Sequence, residues 1–244
     1  MPDLPGERIV LVTGANKGIG YEIARQLGRL GAVVHLGARD ERRGRQAAAR
    51  LAAEGLTAQA LHLDVTDGAT LMRAARRLGE RHGRLDVLVN NAGITGAFGG
   101  PPSAATAGQL REVYDTNVFG VLAVTNAMLP LLRRSTSPRI VNVSSSVASL
   151  TRQADPDIQI GPVMAAYAPS KSFLNAVTVQ YARQLADTDI LINAACPGLV
   201  ATDFTGFQGP RTPQQGAATA IRLATLSDGG PTGSFFEDAG VVPW

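Results

Sequence analysis

With 244 residues, 45% hydrophobic and 18% charged, the chain is long enough for one sizeable core and too apolar to be disordered throughout. The formal net charge is only +3, and the densest basic cluster, Arg42, Arg43 and Arg45, has no interleaved aromatics, which argues against a nucleic-acid surface. The single cysteine, Cys196, excludes an intramolecular disulfide, and no uninterrupted apolar stretch approaches the ~20 residues of a membrane span. Met1–Glu7 has neither the charged nor the apolar region of a secretory leader, so a cytoplasmic protein without membrane or nucleic-acid partners is expected.

Along the chain, short apolar runs alternate with longer amphipathic segments. Ile9–Val12, Val33–Leu36, Leu61–Leu63, Val87–Val89, Ile140–Val143 and Ile190–Ile192 read as strands, and Phe235-Phe236 as a short last one. Most are continuously apolar, as strands covered on both faces must be. Helices are expected at about 18–31, 41–54, 67–82, 104–134, 165–187 and 212–226, with Asp40, Asp67 and Thr212 as caps. This alternation implies an α/β fold: one Rossmann-type, doubly wound parallel sheet of about seven strands with helices on both faces. No linker or repeat divides it, so residues 1–244 form a single domain. Gly96–Ser103, Thr151–Gly161 and Gly198–Pro213 are long loops, where function tends to reside.

The first strand runs into Thr13-Gly14-Ala15-Asn16-Lys17-Gly18-Ile19-Gly20 and a helix follows at once. Strand, glycine turn and helix N-terminus together present free N–H groups and a positive dipole end to a pyrophosphate. Gly14, Asn16, Lys17, Gly18, Ile19 and Gly20 are therefore candidate cofactor contacts. Near the end of the second strand a carboxylate selects a ribose 2′-OH, whereas an arginine accommodates a 2′-phosphate. Arg39 occupies that place, with Asp40 one position late and suited to cap the next helix, so NADP(H) is the expected cofactor. No metal is expected.

Tyr167 and Lys171 stand four apart and so share one helix face. A nearby ammonium favours the phenolate, and poising the phenol near neutrality requires about 4 kcal/mol, from that cation and a positive nicotinamide. The chain has two lysines, Lys17 and Lys171, against 21 arginines, so a lysine at this position is not incidental. Ser145 follows the fifth strand, where its hydroxyl can meet a substrate oxygen, although Ser144 and Ser146 flank it and the register is open by one.

Taken in order, the TGxxxGxG turn, Asn90-Asn91-Ala92-Gly93, Ser144-Ser145, Tyr167-Ala168-Pro169-Ser170-Lys171 and Pro197-Gly198 resemble the short-chain dehydrogenase/reductase family over nearly the whole chain. Within it, the turn and Gly37-Ala38-Arg39-Asp40 look most like the NADPH-dependent carbonyl reductases and their bacterial relatives. The resemblance implies Lys17 as a second cation at the 2′-phosphate and Asp64, beside Val65, at the adenine amino group. It implies Asn91 and Gly93 along the cofactor and Lys171 on the nicotinamide ribose. It further implies Asn117 fixing a water of a proton relay, and Pro197, Val200 and Thr202 holding the carboxamide and opening a substrate lid over 198–213.

The expected catalytic set is thus Asn117, Ser145, Tyr167 and Lys171, and the expected reaction is hydride transfer between NADPH and a carbonyl/alcohol pair. Reduction is favoured because cells keep NADP reduced. Phe98, the 147–164 loop, Phe204 and Phe207 would wall the pocket of a hydrophobic ketone, aldehyde or quinone. A sensor of the same fold without turnover and an NAD-linked alcohol dehydrogenase are the alternatives. Two departures stand out. Pro169 requires the helix to begin close to Ala165 or Ala166, since proline is tolerated only in a first turn. The 22 residues from Ser145 to Tyr167 imply an insertion over 151–161, which either walls the pocket or covers the helical face where family dimers form, leaving monomer or homodimer open.

Overall fold

The computed structural model describes residues 7–97 and 99–244. Residues 1–6 of the Met1–Glu7 stretch, and Phe98, expected in the pocket wall, lie outside the described residues.

β1 (Ile9–Thr13) forms where five apolar or β-branched residues run together, and every one of them is buried. Val10 and Val12 enter one core with Ile23 and Leu27 of α1 (Gly18–Arg29). Ile9 and Leu11 enter a second core on the opposite face. That two-sided burial explains why the strand lacks alternation. β2 (Val33–Ala38), α2 (Glu41–Ala53), β3 (Ala58–His62), α3 (Gly68–His82) and β4 (Val87–Asn90) follow in strand–helix alternation. Beyond them lie α4 (Ala107–Tyr114), α5 (Gly120–Leu132), β5 (Arg139–Val143), α6 (Leu150–Ala154), α7 (Tyr167–Gln184), β6 (Leu191–Ala195), α8 (Pro213–Ala224), β7 (Phe235–Glu237) and β8 (Gly240–Val241). The expected caps are in place: Asp40 accepts from Arg43 N–H, Asp67 from Ala69 N–H and Thr212 from Gln215 N–H.

The sheet order is β3-β2-β1-β4-β5-β6-β7-β8, parallel except for the last pair. The chain winds outward from β1 to one edge, then returns to place β4 on β1's other side. The crevice between the carboxyl ends of β1 and β4 is therefore the switch point where such sheets bind ligands.

Four boundaries differ from expectation. The sheet has eight strands rather than about seven, because Gly240-Val241 turns back on β7, a two-residue pairing too short to leave a pattern. β3 starts at Ala58, since register with Val34 of β2 draws Ala58-Gln59-Ala60, residues with little strand propensity, into the strand. The single helix expected over 104–134 begins only at Ala107, after a Thr106–Gln109 capping box, and passes through a π turn at Asp115–Phe119. Leu150–Ala154, which runs into the start of the expected insertion, is helical and capped by Ser149.

The continuous run Ala107–Leu132 has the length and mean hydropathy of a membrane span, which counting uninterrupted apolar residues does not register. Half of it is buried, with Val124, Met128 and Leu132 in the second core, so it is an interior helix of the domain.

The start of the insertion is tied to the far edge of the sheet. Thr151 donates through its amide (2.9 Å) and hydroxyl (2.6 Å) to the Trp244 carbonyl, and Arg152 forms a two-pronged pair with Glu237 at 3.0 and 2.7 Å. Four residues beyond its end, Ala165 N–H donates to the Gly100 carbonyl in the loop after β4 at 3.1 Å.

Candidate active site

The phosphate turn is shaped by its glycines. Gly14 and Gly18 hold φ of 63° and 58°, a left-handed conformation that side chains disfavour. A Cβ at Gly20 would lie 2.4 Å from Asn91 Nδ2 and 2.7 Å from the Gly14 carbonyl. Gly20→Ala is therefore expected to cost about 2 kcal/mol or more of stability by forcing the turn apart. Urea unfolding with an unchanged midpoint would show that the turn can yield.

α1 differs from α2, α3, α4 and α8 in having no side-chain cap at its start, although Lys17 occupies the capping position. A Cβ at Gly18 would meet only Thr202, at 3.5 Å. A glycine cradle with uncapped helix amides fits a dinucleotide pyrophosphate. Ile19 packs its side chain on the first core behind the turn.

Asn91 braces this cradle: its Nδ2 donates to the Thr13 carbonyl at 2.9 Å and to that of Gly14 at 3.3 Å. Thr13 in turn accepts from the N–H groups of Asn91 and Ala92, both at 3.0 Å. Asp64 Oδ1 accepts from the N–H and hydroxyl of Thr66, which lower its pKa against the opposing push of burial. Val65 is buried against Gly120. Arg39 is exposed at the end of β2, where its charge reaches Asp64. The Lys17 ammonium pairs with Asp203 of the 198–213 segment, a partner far away in sequence that nothing local announces.

Polar side chains in the core set the opposite wall. Asn90 Nδ2 donates to Asn142 Oδ1 across the β4–β5 pair at 2.9 Å, and Asn142 Nδ2 donates to Thr178 of α7 at 2.9 Å. These bonds lock α7 onto the strand ends. Buried and directional, they favour one arrangement over any slip of register, although Asn90 Oδ1 is left without a partner.

α7 begins at Tyr167 with Ala166 before it, so Pro169 falls in the first turn as its chemistry demands. Tyr167 and Lys171 then lie on one face, with Lys171 Nζ 5.9 Å from the centre of the phenol ring. The Ser145 side chain is in hydrogen-bonding reach of the Tyr167 phenol. Ser144 points elsewhere, donating to buried Asn175 Oδ1 at 2.7 Å, while Ser146 opens a short 3₁₀ turn. Ser145 is therefore the serine of the run whose side chain acts on the phenol, lowering its pKa against burial.

The ammonium of Lys171 is buried and donates to the Val143 carbonyl at 2.8 Å. Burial lowers its pKa to about 8. Burial also pushes the Tyr167 phenol up to about 12, with Ser145 pulling slightly the other way. In the chain alone, loss of water sets the direction, so poising the phenol near neutrality is left to the ammonium together with a positive nicotinamide. Bringing a phenol from about 12 to neutrality would require about 7 kcal/mol.

Asn117 lies in the π turn, completely buried. Its carboxamide accepts from Ile94 N–H and donates to the Ile94 carbonyl, both at 2.8 Å, and donates to Ser170 at 3.0 Å. The side chain is thus committed to holding the loop after β4, and π turns recur at functional sites because they redirect backbone carbonyls. Gly93 lies between, where a Cβ would come within 3.3 Å of Asn117 Oδ1 and 3.6 Å of Lys171 Nζ. Pro197, Val200 and Thr202 follow β6, with Val200 packed on Gly216 of α8 and Thr202 beside Gly18. Ser170, inside the Tyr167–Lys171 motif but given no role by it, is reached through Asn117, and the ring of Phe204, expected in the pocket wall, lies 5.6 Å from that of Tyr167.

Glycine turn, crevice and Ser-Tyr-Lys cluster define a nucleotide-linked oxidoreductase of the Rossmann type. The model of the short chain dehydrogenase family matches residues 8–212, and the chain belongs to that family. It is 35% identical to short-chain dehydrogenase/reductase 1 of Saponaria officinalis, covering 99% of this chain and 97% of that protein. To carbonyl reductase [NADPH] 1 of Rattus norvegicus it is 36% identical over 97% of this chain and 98% of the relative. A short chain dehydrogenase of Shigella flexneri solved in complex with NADP superimposes with a TM-score of 0.84 at 31% identity, covering 96% and 98% of the two chains.

Proposed function

We propose that this oxidoreductase is an NADPH-dependent carbonyl reductase acting on a hydrophobic ketone, aldehyde or quinone. The observation that carries the proposal is the Tyr167–Lys171 pair on one face of α7, its ammonium buried 5.9 Å from the phenol ring centre, beside Ser145 and the glycine cradle. The bound dinucleotide supplies the hydride. Ser145 and Tyr167 hold the carbonyl oxygen by hydrogen bonds that strengthen as charge develops on it. Tyr167 gives its proton to that oxygen, and Lys171 stabilises the phenolate left behind. A phenol held protonated by burial is already in the form that reduction needs, whereas oxidation would require the phenolate first. Asn117 keeps the Ile94 loop and Ser170 in place beside the lysine. Asp40 is occupied as a helix cap, which leaves exposed Arg39 to favour a 2′-phosphate over a ribose hydroxyl.

The test is NADPH consumption across a panel of aryl ketones, aldehydes and quinones, with NADH in parallel. Failure of every carbonyl, or equal use of NADH, would overturn the proposal. Its pH dependence follows from the two groups. Tyr167 stays protonated up to about 12, while Lys171 is charged below about 8 and neutral above it. The kcat/KM for NADPH, which reports the free enzyme, is therefore expected to be flat in mild acid and to fall above about pH 8. A profile that rises through that range would contradict the assignment of Lys171.

The insertion is proposed to wall the substrate pocket, because its start is anchored at Trp244 and the chain just beyond it at Gly100, in the loop after β4. Deleting residues 155–160, which spares the Arg152–Glu237 anchor, should alter the ranking of carbonyls and leave the mass in solution unchanged. A changed mass with an unchanged ranking, read by light scattering and the same panel, would assign it to subunit contact instead.

A further inference from the structure

A basic cavity of about 590 Å³ lies between the phosphate turn and α2, lined by Asn16, Lys17, Arg43, Gln46, Ala49 and Arg50. No carboxylate is among its lining residues, and three cations are. Two of the three have acidic partners elsewhere: Lys17 is paired with Asp203, and Arg43 lies 3.5 Å from Asp40.

Arg50 is held differently. Its guanidinium lies 4.7 Å from the centre of the Tyr21 ring, and Nη2 donates to the Asn16 carbonyl at 3.4 Å. Among the described residues it has no carboxylate partner. A ring face and a carbonyl orient a guanidinium without cancelling its charge, so an anion entering the cavity meets a cation already aimed. The helix geometry accounts for the reach. Arg43, Gln46 and Arg50 follow one face of α2, and helical side chains lean toward the N-terminus, bringing Arg50 back to the turn two helical turns away.

The cavity adjoins the place where this fold presents the adenosine ribose, between the glycine turn and the end of β2. Resting on the NADPH reading above, we propose that Arg50 is a specificity-determining residue for the cofactor: it takes the 2′-phosphate in this cavity, while Arg39 guards the β2 side. The ligand chemistry is a phosphate monoester, and a free phosphate ion shares it.

Calorimetric titration of the full chain with 2′,5′-ADP, 5′-AMP and inorganic phosphate separates the possibilities. Arg50→Met keeps an apolar stem over Tyr21 without the charge, and Arg50→Lys restores a charge. The parent should bind 2′,5′-ADP more tightly than 5′-AMP. Arg50→Met should weaken 2′,5′-ADP about tenfold, leave 5′-AMP unchanged and reduce the salt dependence of binding, with partial recovery in Arg50→Lys. If the parent prefers 2′,5′-ADP and Arg50→Met binds it equally well, the Arg50 proposal falls and the NADPH reading stands. Equal losses for 2′,5′-ADP and 5′-AMP would mark Arg50 as a brace of the Asn16 turn and also overturn it. Loss confined to inorganic phosphate would assign the cavity to a free ion. A parent that does not distinguish 2′,5′-ADP from 5′-AMP would overturn the NADPH reading, and the Arg50 proposal with it.

Discussion

Replacing Tyr167 by Phe is expected to lower carbonyl reduction by about 10²–10⁴-fold while NADPH binding is retained. The substitution removes one oxygen from a ring that keeps its other contacts, including the Phe204 ring 5.6 Å away, so the fold and cradle are left as they are. What disappears is the proton donor in reach of Ser145. Ser145 alone can hydrogen-bond the carbonyl oxygen but is a far weaker acid, and Lys171 is turned toward the Val143 carbonyl. Steady-state reduction and fluorescence titration of NADPH on the same preparation decide the matter. Turnover within about tenfold of the parent would exclude Tyr167 as the acid.

The second large effect is expected at Arg39. Arg39→Asp exchanges a cation for an anion at the end of β2, so the 2′-phosphate meets repulsion and a ribose hydroxyl gains an acceptor. The preference for NADPH over NADH should fall by about a hundredfold, chiefly through KM, because the change acts on binding far from the reacting carbon. Arg39 is exposed, so the folded state should tolerate the change. The two cofactors titrated against parent and variant provide the measurement, and an unchanged ratio would remove Arg39 from the phosphate site. Arg50 then gives an independent route to the same preference, since it approaches from α2 rather than from β2.

Much of this was legible beforehand because the signals are local. A two-sided strand must be apolar throughout, and a turn around a phosphate must be glycine-rich. A tyrosine and lysine that share a helix face must stand four apart, and Pro169 marks where that helix begins to within a residue or two. Asp40 as a cap follows from its position ahead of α2, and the structure bears it out. Signals were weaker where the deciding partner is remote. β3 is a strand because β2 lies alongside, not because alanine favours one. The π turn at Asp115–Phe119 lies inside what composition presents as a single long helix, and it is there that Asn117 engages Ile94.

By itself, then, the sequence determined the strand–helix order, the doubly wound class, the phosphate turn and the Tyr167–Lys171 pair. Periodicity and steric limits act within a few residues of one another. Only the tertiary structure decided which serine acts on the phenol, that Lys17 is paired with Asp203, and that Arg50 reaches Asn16. It also decided the sign of the tyrosine's shift, since a pKa depends on how much water the whole fold removes from the phenol. Those outcomes rest on contacts between residues tens to nearly two hundred positions apart, and on burial that no segment sets alone.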